Sequence, residues 1–263
     1  GDTNLSLLYN FEDKKLVVKE SLEESKNNMV KFKVKKLQDG KEVENVLTNY
    51  YHYFDYSASR STRLNIYDNT IILITSDNGP TYAGGVDFEY FNSTGLFQND
   101  PKRMKGYTYE GGVRVPFIVS WPNKIKNKRI IDEVSISYDI FPTISELSGV
   151  DELYNYSTDG VSLVDIFTDK KNSLERDYIY WEFPSYGGQQ AARMGDYKGI
   201  LKDIKKGNRK IELFDLSLDL KEQNDISSEY PEVVRNFENI FKKEHIKSEI
   251  KRFEMGYIDE KKP

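Results

Sequence analysis

Apolar and polar positions follow three different patterns along this chain, and each pattern predicts its own set of elements. Within residues 1–63, Val30-Lys31-Phe32-Lys33-Val34-Lys35 is apolar at every second position, as a half-exposed strand requires. Asp39-Gly40 then supplies a hairpin turn before Val43 and Val46. Residues 22–26 fit a short helical turn, and Tyr50-Tyr51-His52-Tyr53-Phe54 is an aromatic cluster suited to packing. From residue 64 the pattern is that of an α/β domain. Thr70-Ile71-Ile72-Leu73-Ile74-Thr75 is a continuous run, predicting a strand covered on both faces, and Ser76-Asp77-Asn78-Gly79-Pro80 stops it. Val115-Pro116-Phe117-Ile118-Val119 predicts a second strand, with Pro116 at its edge or entry. Over 137–148, Ile140, Ile144 and Leu147 share one helical face, and Gly149 suits the position after the helix.

Beyond about residue 175 short strand candidates succeed one another: Tyr178-Ile179-Tyr180-Trp181, Gln190-Ala191-Ala192-Arg193-Met194, residues 197–201 and residues 211–214. Gly195-Asp196 and Gly207-Asn208 mark turns between them, so a small antiparallel sheet is expected. Pro231 fits a helix first turn, and Val233, Val234, Phe237, Ile240 and Phe241 form an apolar stripe that should pack on that sheet. The expected organisation is a β-rich, unassigned segment over 1–63, part of an α/β domain over 64–174, a small α+β subdomain over 175–245 and a charged peripheral tail over 246–263.

Composition narrows the function classes. With 38% hydrophobic, 13% aromatic and 31% charged residues, a chain of 263 residues folds around a sizeable core and does not stay disordered. The net charge of -5 comes from 38 basic and 43 acidic residues spread along the chain, which leaves no basic patch for nucleic acid or an anionic membrane. No apolar run approaches the roughly eighteen residues of a spanning helix. Gly1-Asp2-Thr3-Asn4 resembles no signal peptide and lacks a starting Met, so a fragment or processed form is expected. The absence of cysteine excludes disulfides, thiolate metal sites and cysteine nucleophiles.

Asp77 and Asn78 place a carboxylate and an amide oxygen side by side at a strand's C-terminal end, followed by a glycine that lets the backbone turn tightly. Hard divalent cations take such oxygen donors. Taken alone, Asp-Asn-Gly after a strand is more often an ordinary turn, because Asn and Gly readily adopt the left-handed conformation. Glu110 and Arg114, spaced i, i+4 around two glycines, read as an ion pair that shapes a loop.

The wider succession decides between the two readings. Ile74-Thr75-Ser76-Asp77-Asn78-Gly79-Pro80, Gly84-Gly85, Phe91-Asn92-Ser93, Lys105, Glu110-Gly111-Gly112-Val113-Arg114-Val115-Pro116 and Trp121-Pro122 resemble the sulfatase family. Asp139-Ile140-Phe141-Pro142-Thr143, Asp159-Gly160-Val161-Ser162-Leu163, Tyr180-Trp181-Glu182, Arg193-Met194-Gly195-Asp196-Tyr197-Lys198 and Leu213-Phe214-Asp215-Leu216 follow in the family's order. The resemblance covers about residues 63–235 and corresponds to the C-terminal half of an arylsulfatase-like enzyme. It implies a partial alkaline-phosphatase-like α/β domain with a small C-terminal antiparallel sheet plus helix. It also implies hydrolysis of a sulfuric ester on a small molecule or glycan, and export of the parent protein to a periplasmic, extracellular or lysosomal compartment. By position, Asp77 and Asn78 correspond to ligands of Ca2+, and Lys105, five residues before Glu110, to the lysine that contacts the sulfate. Gln189, Gln190, Arg193 and Lys198 fall in the small sheet that borders the family's substrate cleft, with Gln189 and Arg193 taken as substrate contacts.

The sequence departs from the family in what it lacks. The nucleophile is a formylglycine made from Cys/Ser-x-Pro-x-Arg, whereas Ser120-Trp121-Pro122 continues as Asn123-Lys124 and belongs to the later Trp-Pro motif. The family's paired aspartate ligands have no counterpart, and His52 and His245 lie outside its motifs. The chain alone is therefore expected to be an incomplete, inactive part of a sulfatase. The alternatives are a non-catalytic binding module derived from one, or a phosphatase or phosphodiesterase relative.

Overall fold

The computed structural model of this chain describes residues 6–10, 15–19, 31–38, 41–48, 66–149 and 158–259. The expected turn at 39–40, the helical turn at 22–26 and the aromatic cluster with His52 lie outside the described residues. The chain divides into two compact units, residues 1–74 with 119–127 and residues 75–118 with 128–263.

The first unit carries a four-stranded sheet of Ser6–Asn10 (β1), Lys15–Lys19 (β2), Lys31–Gln38 (β3) and Lys41–Thr48 (β4), in the order β2-β1-β3-β4. β1 runs antiparallel to β2 and parallel to β3, while β3 and β4 pair antiparallel with Gln38 opposite Lys41. In the same unit the amide of Asn123 donates to Asp68 O (3.0 Å), and Lys124 and Ile125 close a turn on Trp121 O.

Ile72–Thr75 (β5) and Phe117–Ser120 (β6) form a two-stranded sheet. Pro116 stands immediately before β6, the strand-entry position its missing N–H favours. The expectation that β5 is covered on both faces is corrected: Ile72 is buried, Leu73 and Ile74 are half-buried and Thr75 is exposed. A strand of this composition is enclosed only when neighbours flank it and helices cover it, and here it has one partner strand among the described residues.

The second unit contains three short helices, Glu110–Val113 (α1), Ile140–Ser148 (α2) and Val164–Phe167 (α3). Gly149 ends α2 at φ 67° with its N–H on Glu146 O, as the sequence predicts. Ile140 and Leu147 of the shared apolar face are half-buried and Ile144 is 51% exposed, while Thr143 and Ser145 are buried. Polar contacts override the apolar stripe. The Thr143 hydroxyl donates to Asp139 O (2.6 Å) and accepts from the amide of Leu163 (2.9 Å). The fully buried Asp139 accepts from the amides of Ile136 (2.9 Å) and Val161 (3.0 Å) and pairs with Arg176 (2.7 Å). The Asp139 and Asp159-Gly160 motifs are thus structural. A Cβ on Gly160 would lie 2.2 Å from Tyr138 O.

Ile179–Phe183 (β7), Gln189–Met194 (β8), Tyr197–Lys202 (β9) and Glu212–Asp215 (β10) form the expected antiparallel sheet, in the order β10-β9-β8-β7. Strand alternation sorts it into two faces. Ala192, Leu201 and Leu213 pack under Phe237, Ile240 and Phe241 of helix Pro231–Glu244 (α4), as the apolar stripe predicts. Gly199 permits that approach, because a Cβ there would lie 2.6 Å from the Phe237 ring. On the other face Ala191, Ile200, Phe214 and Leu216 pack with Tyr109, which carries the functional loop.

The stretch after α4 is not a peripheral tail. Met255 is 2% exposed in the same core as Phe237, and Tyr257 and Ile258 pack against that core. The residues before Met255 are mostly charged and exposed, and they hide the inward turn from a composition-based reading. His245 joins in: its Nδ1 meets Glu182 Oε1 at 2.5 Å and its Nε2 lies 3.5 Å from Asp259 Oδ1. Phe237→Ala should lower stability by about 3–5 kcal/mol, read as a shift in the urea unfolding midpoint. Gly199→Ala should destabilise through the same contact.

Candidate functional site

The site begins with three backbone segments that approach one another more closely than side chains allow. The amide of Gly79 donates to Gly112 O (2.9 Å), and a Cβ on Gly79 would lie 2.0 Å from Gly111 O. A Cβ on Gly112 would in turn lie 2.0 Å from Tyr107 O, and one on Gly111 would lie 2.6 Å from Arg103 O. The amide of Lys105 donates to Pro80 O (2.9 Å). The Asp-Asn-Gly turn, the Lys105 loop and α1 are therefore stacked backbone on backbone. The two glycines of Glu-Gly-Gly are required by contact, not by turn geometry.

A buried charge cluster holds α1 in place. Lys198 Nζ, fully buried, lies 2.8 Å from Glu110 Oε1 and 3.0 Å from Glu222 Oε1. Arg114 approaches Glu110 from the exposed side at 3.4 Å, so two cations face two carboxylates. Glu222 also accepts the amide of Glu110 (2.7 Å), and its backbone carbonyl accepts from Arg103 (2.6 Å). Burial opposes ionisation of Glu110, but the Lys198 charge and hydrogen bond, with Arg114, outweigh it and hold that carboxyl below its ordinary range. For Glu222, burial prevails over Lys198, and the neighbouring Glu110 charge adds to it, so its carboxyl is pushed up.

The Lys105 loop is fixed from below. Gln189, fully buried, donates to Gly106 O (2.9 Å) and accepts from the amide of Thr108 (3.2 Å). The Tyr109 hydroxyl donates to Glu212 (2.5 Å) and accepts from Lys202 (2.7 Å), and Arg103 lies over its ring.

These segments line a cavity of about 460 Å³, within the range of small-molecule sites. Asp77, Asn78 and Lys105 are brought together on its wall, with Ser76, Arg114, Ser135 and Ser137. Gln189 and Arg193 are not among its lining residues. Both ends of the Gln189 amide are used by the loop, and Arg193 Nε donates to Gly195 O (2.9 Å). Gln190 is likewise buried, donating to the Tyr180 hydroxyl (2.8 Å). What the sequence reading missed is an aromatic wall of Tyr107, Trp181, Phe183 and Tyr186. Besides Trp181 in the Tyr180-Trp181-Glu182 motif, a signal for it is the Tyr186-Gly187-Gly188 run, three consecutive left-handed residues at φ 50°, 91° and 78°.

Asn78 Nδ2 donates to Gly79 O (2.8 Å), which leaves its carbonyl oxygen for a ligand beside the Asp77 carboxylate. These donors fit a hard divalent cation in kind. Such an ion takes about six to eight oxygens. Among the described residues no group of three or more His, Cys, Asp or Glu side chains is placed to hold a metal.

A strand-end Asp-Asn turn, an adjacent lysine and a small antiparallel sheet with its helix together define part of an alkaline-phosphatase-like hydrolase domain. Residues 98–248 match the family model of N-sulphoglucosamine sulphohydrolase, C-terminal, and the chain belongs to the sulfatase family. It is 30% identical over 195 residues to an N-acetylgalactosamine-6-O-sulfatase of Bacteroides thetaiotaomicron, covering 67% of this chain and 36% of that protein. It is 32% identical over 139 residues to human arylsulfatase A, covering 51% of this chain and 25% of that one. Among solved structures it is similar to BT33336S-sulf, from a Bacteroides thetaiotaomicron locus for glycosaminoglycan metabolism, with a TM-score of 0.56 and 27% identity, over 73% of this chain and 42% of that one. The chain thus spans 25% to 42% of the length of these relatives.

Lys198→Met should cost about 3–5 kcal/mol by stranding two buried carboxylates, and adding Glu110→Gln and Glu222→Gln should recover part of it, measured by urea unfolding. The two carboxylates should also act oppositely with pH. The contribution of Glu110 is present above its ordinary value of about 4.5 and lost as pH falls through its lowered folded value. That of Glu222 is present at low pH and lost as pH rises through its raised folded value. Glu110→Gln should therefore flatten the acid limb of unfolding midpoint against pH, and Glu222→Gln the limb above it.

Proposed function

We propose that Asp77, Asn78 and Lys105 form this chain's share of a calcium-dependent, arylsulfatase-type sulfuric ester hydrolase site. The observation that carries this reading is the backbone stack that holds a carboxylate, an amide oxygen and an ammonium group on one cavity wall. Family membership supports the reaction class. Asp77 and Asn78 would hold two positions of the calcium ion, which when bound polarises a sulfate oxygen and neutralises its charge. Lys105 would sit against the sulfuryl oxygens or the leaving oxygen and stabilise the negative charge that grows there. Arg114 adds positive potential to the same cavity. Gln189 acts through the loop it supports, as a positioning residue, and Arg193 has no contact with the cavity in this arrangement.

The sequence contains no cysteine, and its Ser120-Trp121-Pro122-Asn123-Lys124 does not match the formylglycine motif. The 263 residues alone are therefore inactive toward sulfate esters and hold half of a site. The substrate is a sulfated small molecule or glycan, as the name of the N-acetylgalactosamine-6-O-sulfatase relative suggests. The resemblance supports export of the parent protein to a periplasmic, extracellular or lysosomal compartment. No helix among the described residues is long and apolar enough to cross a membrane.

Calorimetric titration of calcium into this chain should show binding on the order of millimolar or weaker, abolished by Asp77→Ala. Lys105→Ala should weaken binding of inorganic sulfate without altering the unfolding midpoint. Sub-micromolar calcium binding that survives Asp77→Ala would overturn the assignment.

A further inference from the structure

We propose that His245 is a positioning residue that works as a proton-operated clasp, tying the turn at 255–259 to the cavity wall through Glu182. The imidazole follows α4 directly and lies, with its side chain 10% exposed, between two carboxylates from different parts of the chain. Its Nδ1 meets Glu182 Oε1 at 2.5 Å, and its Nε2 lies 3.5 Å from Oδ1 of the buried Asp259. Glu182 belongs to β7 and lines the cavity beside Trp181 and Phe183. Asp259 ties up the turn itself: its Oδ2 accepts the amide of Met255, and its own amide donates to Gly256 O (3.0 Å).

The two ends of the ring are not equivalent. An ionised carboxylate can only accept, so Glu182 keeps a proton on Nδ1. A neutral ring then turns its Nε2 lone pair toward Asp259 Oδ1, acceptor against acceptor, and both atoms are buried without a hydrogen-bond partner. Polar atoms left in this way cost stability. One proton between them removes the conflict, because the new N–H donates to Oδ1 and the imidazolium is flanked by two carboxylates. The ring therefore gains a contact as well as a charge when pH falls through the range of about 5 to 8 in which histidine titrates.

The other titratable groups of the surrounding elements are engaged elsewhere. On α4, Glu244 takes the Tyr178 hydroxyl (2.6 Å) and Lys243 (3.2 Å). On β7, the Tyr180 hydroxyl interacts with Glu182 and accepts from Gln190 of β8 (2.8 Å). In the stretch before Met255, Lys247 pairs with Glu254 at 3.7 Å.

The clasp reaches the cavity in two ways. With His245 neutral, the Glu182 charge stands uncompensated on the wall; with an imidazolium behind it, an anion entering the cavity is repelled less. Met255 also lies under Gly188, where a Cβ would be 3.3 Å from its Sδ. The turn that Asp259 holds thus underlies the rim that carries Tyr186.

Hydrogen–deuterium exchange of the 263-residue chain at about pH 5.5 and about pH 8, corrected for intrinsic rates, tests the clasp on either side of histidine's titration. Amides over 253–259 should be about tenfold more protected at the lower pH. His245→Gln cannot take up the proton and should give the same protection at both. Asp259→Asn keeps an acceptor for the Met255 amide and offers Nε2 an N–H without any added proton, so it should hold the turn closed at both. A histidine that only fills space predicts neither the pH step nor its loss in Asp259→Asn. Equal protection of the wild-type chain at the two pH values, or a step that persists in either variant, would overturn the clasp.

Calorimetric titration of inorganic sulfate reads the link to the cavity and rests on the sulfate-binding reading of it. Between the two pH values, affinity should fall about two- to fivefold further in the wild-type chain than in His245→Gln. An equal fall overturns the link. Absence of sulfate binding in every variant instead refutes the sulfate position, and the exchange result then decides the clasp by itself.

Discussion

A single buried ammonium group carries most of the order in the site. Lys198 stands on the sheet face opposite α4, where it neutralises Glu110 and Glu222, and neither carboxylate could remain in that apolar layer without it. Through Glu110 it fixes α1, and through Glu222 it draws in the segment after β10, which caps α1 in return. The glycines of α1 then set how closely the Asp-Asn-Gly turn and the Lys105 loop can lie. The ligand-bearing residues are therefore placed by a charge cluster that touches no ligand.

The sequence was legible where one residue type has one physical use. The β7 to β10 strands, the turns between them, the α4 stripe and the left-handed Gly149 all follow from periodicity and turn chemistry. Asp77, Asn78 and Lys105 were legible as neighbours only through the order of motifs. Their proximity depends on contacts 30 or so residues apart in the chain, such as Gly79 to Gly112, which no local pattern encodes. The placements that local sequence did not give share a cause. Lys198 and Gln189 are polar residues on a strand, and local sequence cannot tell a solvated polar side chain from one whose partner arrives from another element. On α2 Thr143 is buried and Ile144 exposed, because the Thr143 hydroxyl is bonded to Asp139 at the helix start.

The two faces of the small sheet divide the labour of the second unit. One face is closed by α4 and supplies apolar burial; the other receives Tyr109, Glu110 and the loop that lines the cavity. Because β8 and β9 alternate between the faces, adjacent residues such as Ala191 and Ala192 belong to different tasks. The aromatic wall continues from β7 into the Tyr186-Gly187-Gly188 turn, so the sheet edge and the cavity rim are one continuous piece of backbone.

The inward turn of Met255 separates two notions of a boundary. The family model ends at residue 248, yet Met255 lies 2% exposed beneath Gly188 and in the core of α4. An expression boundary drawn from homology alone would uncover that core and loosen the turn that carries Tyr186. The matched region and the packed core thus end at different residues.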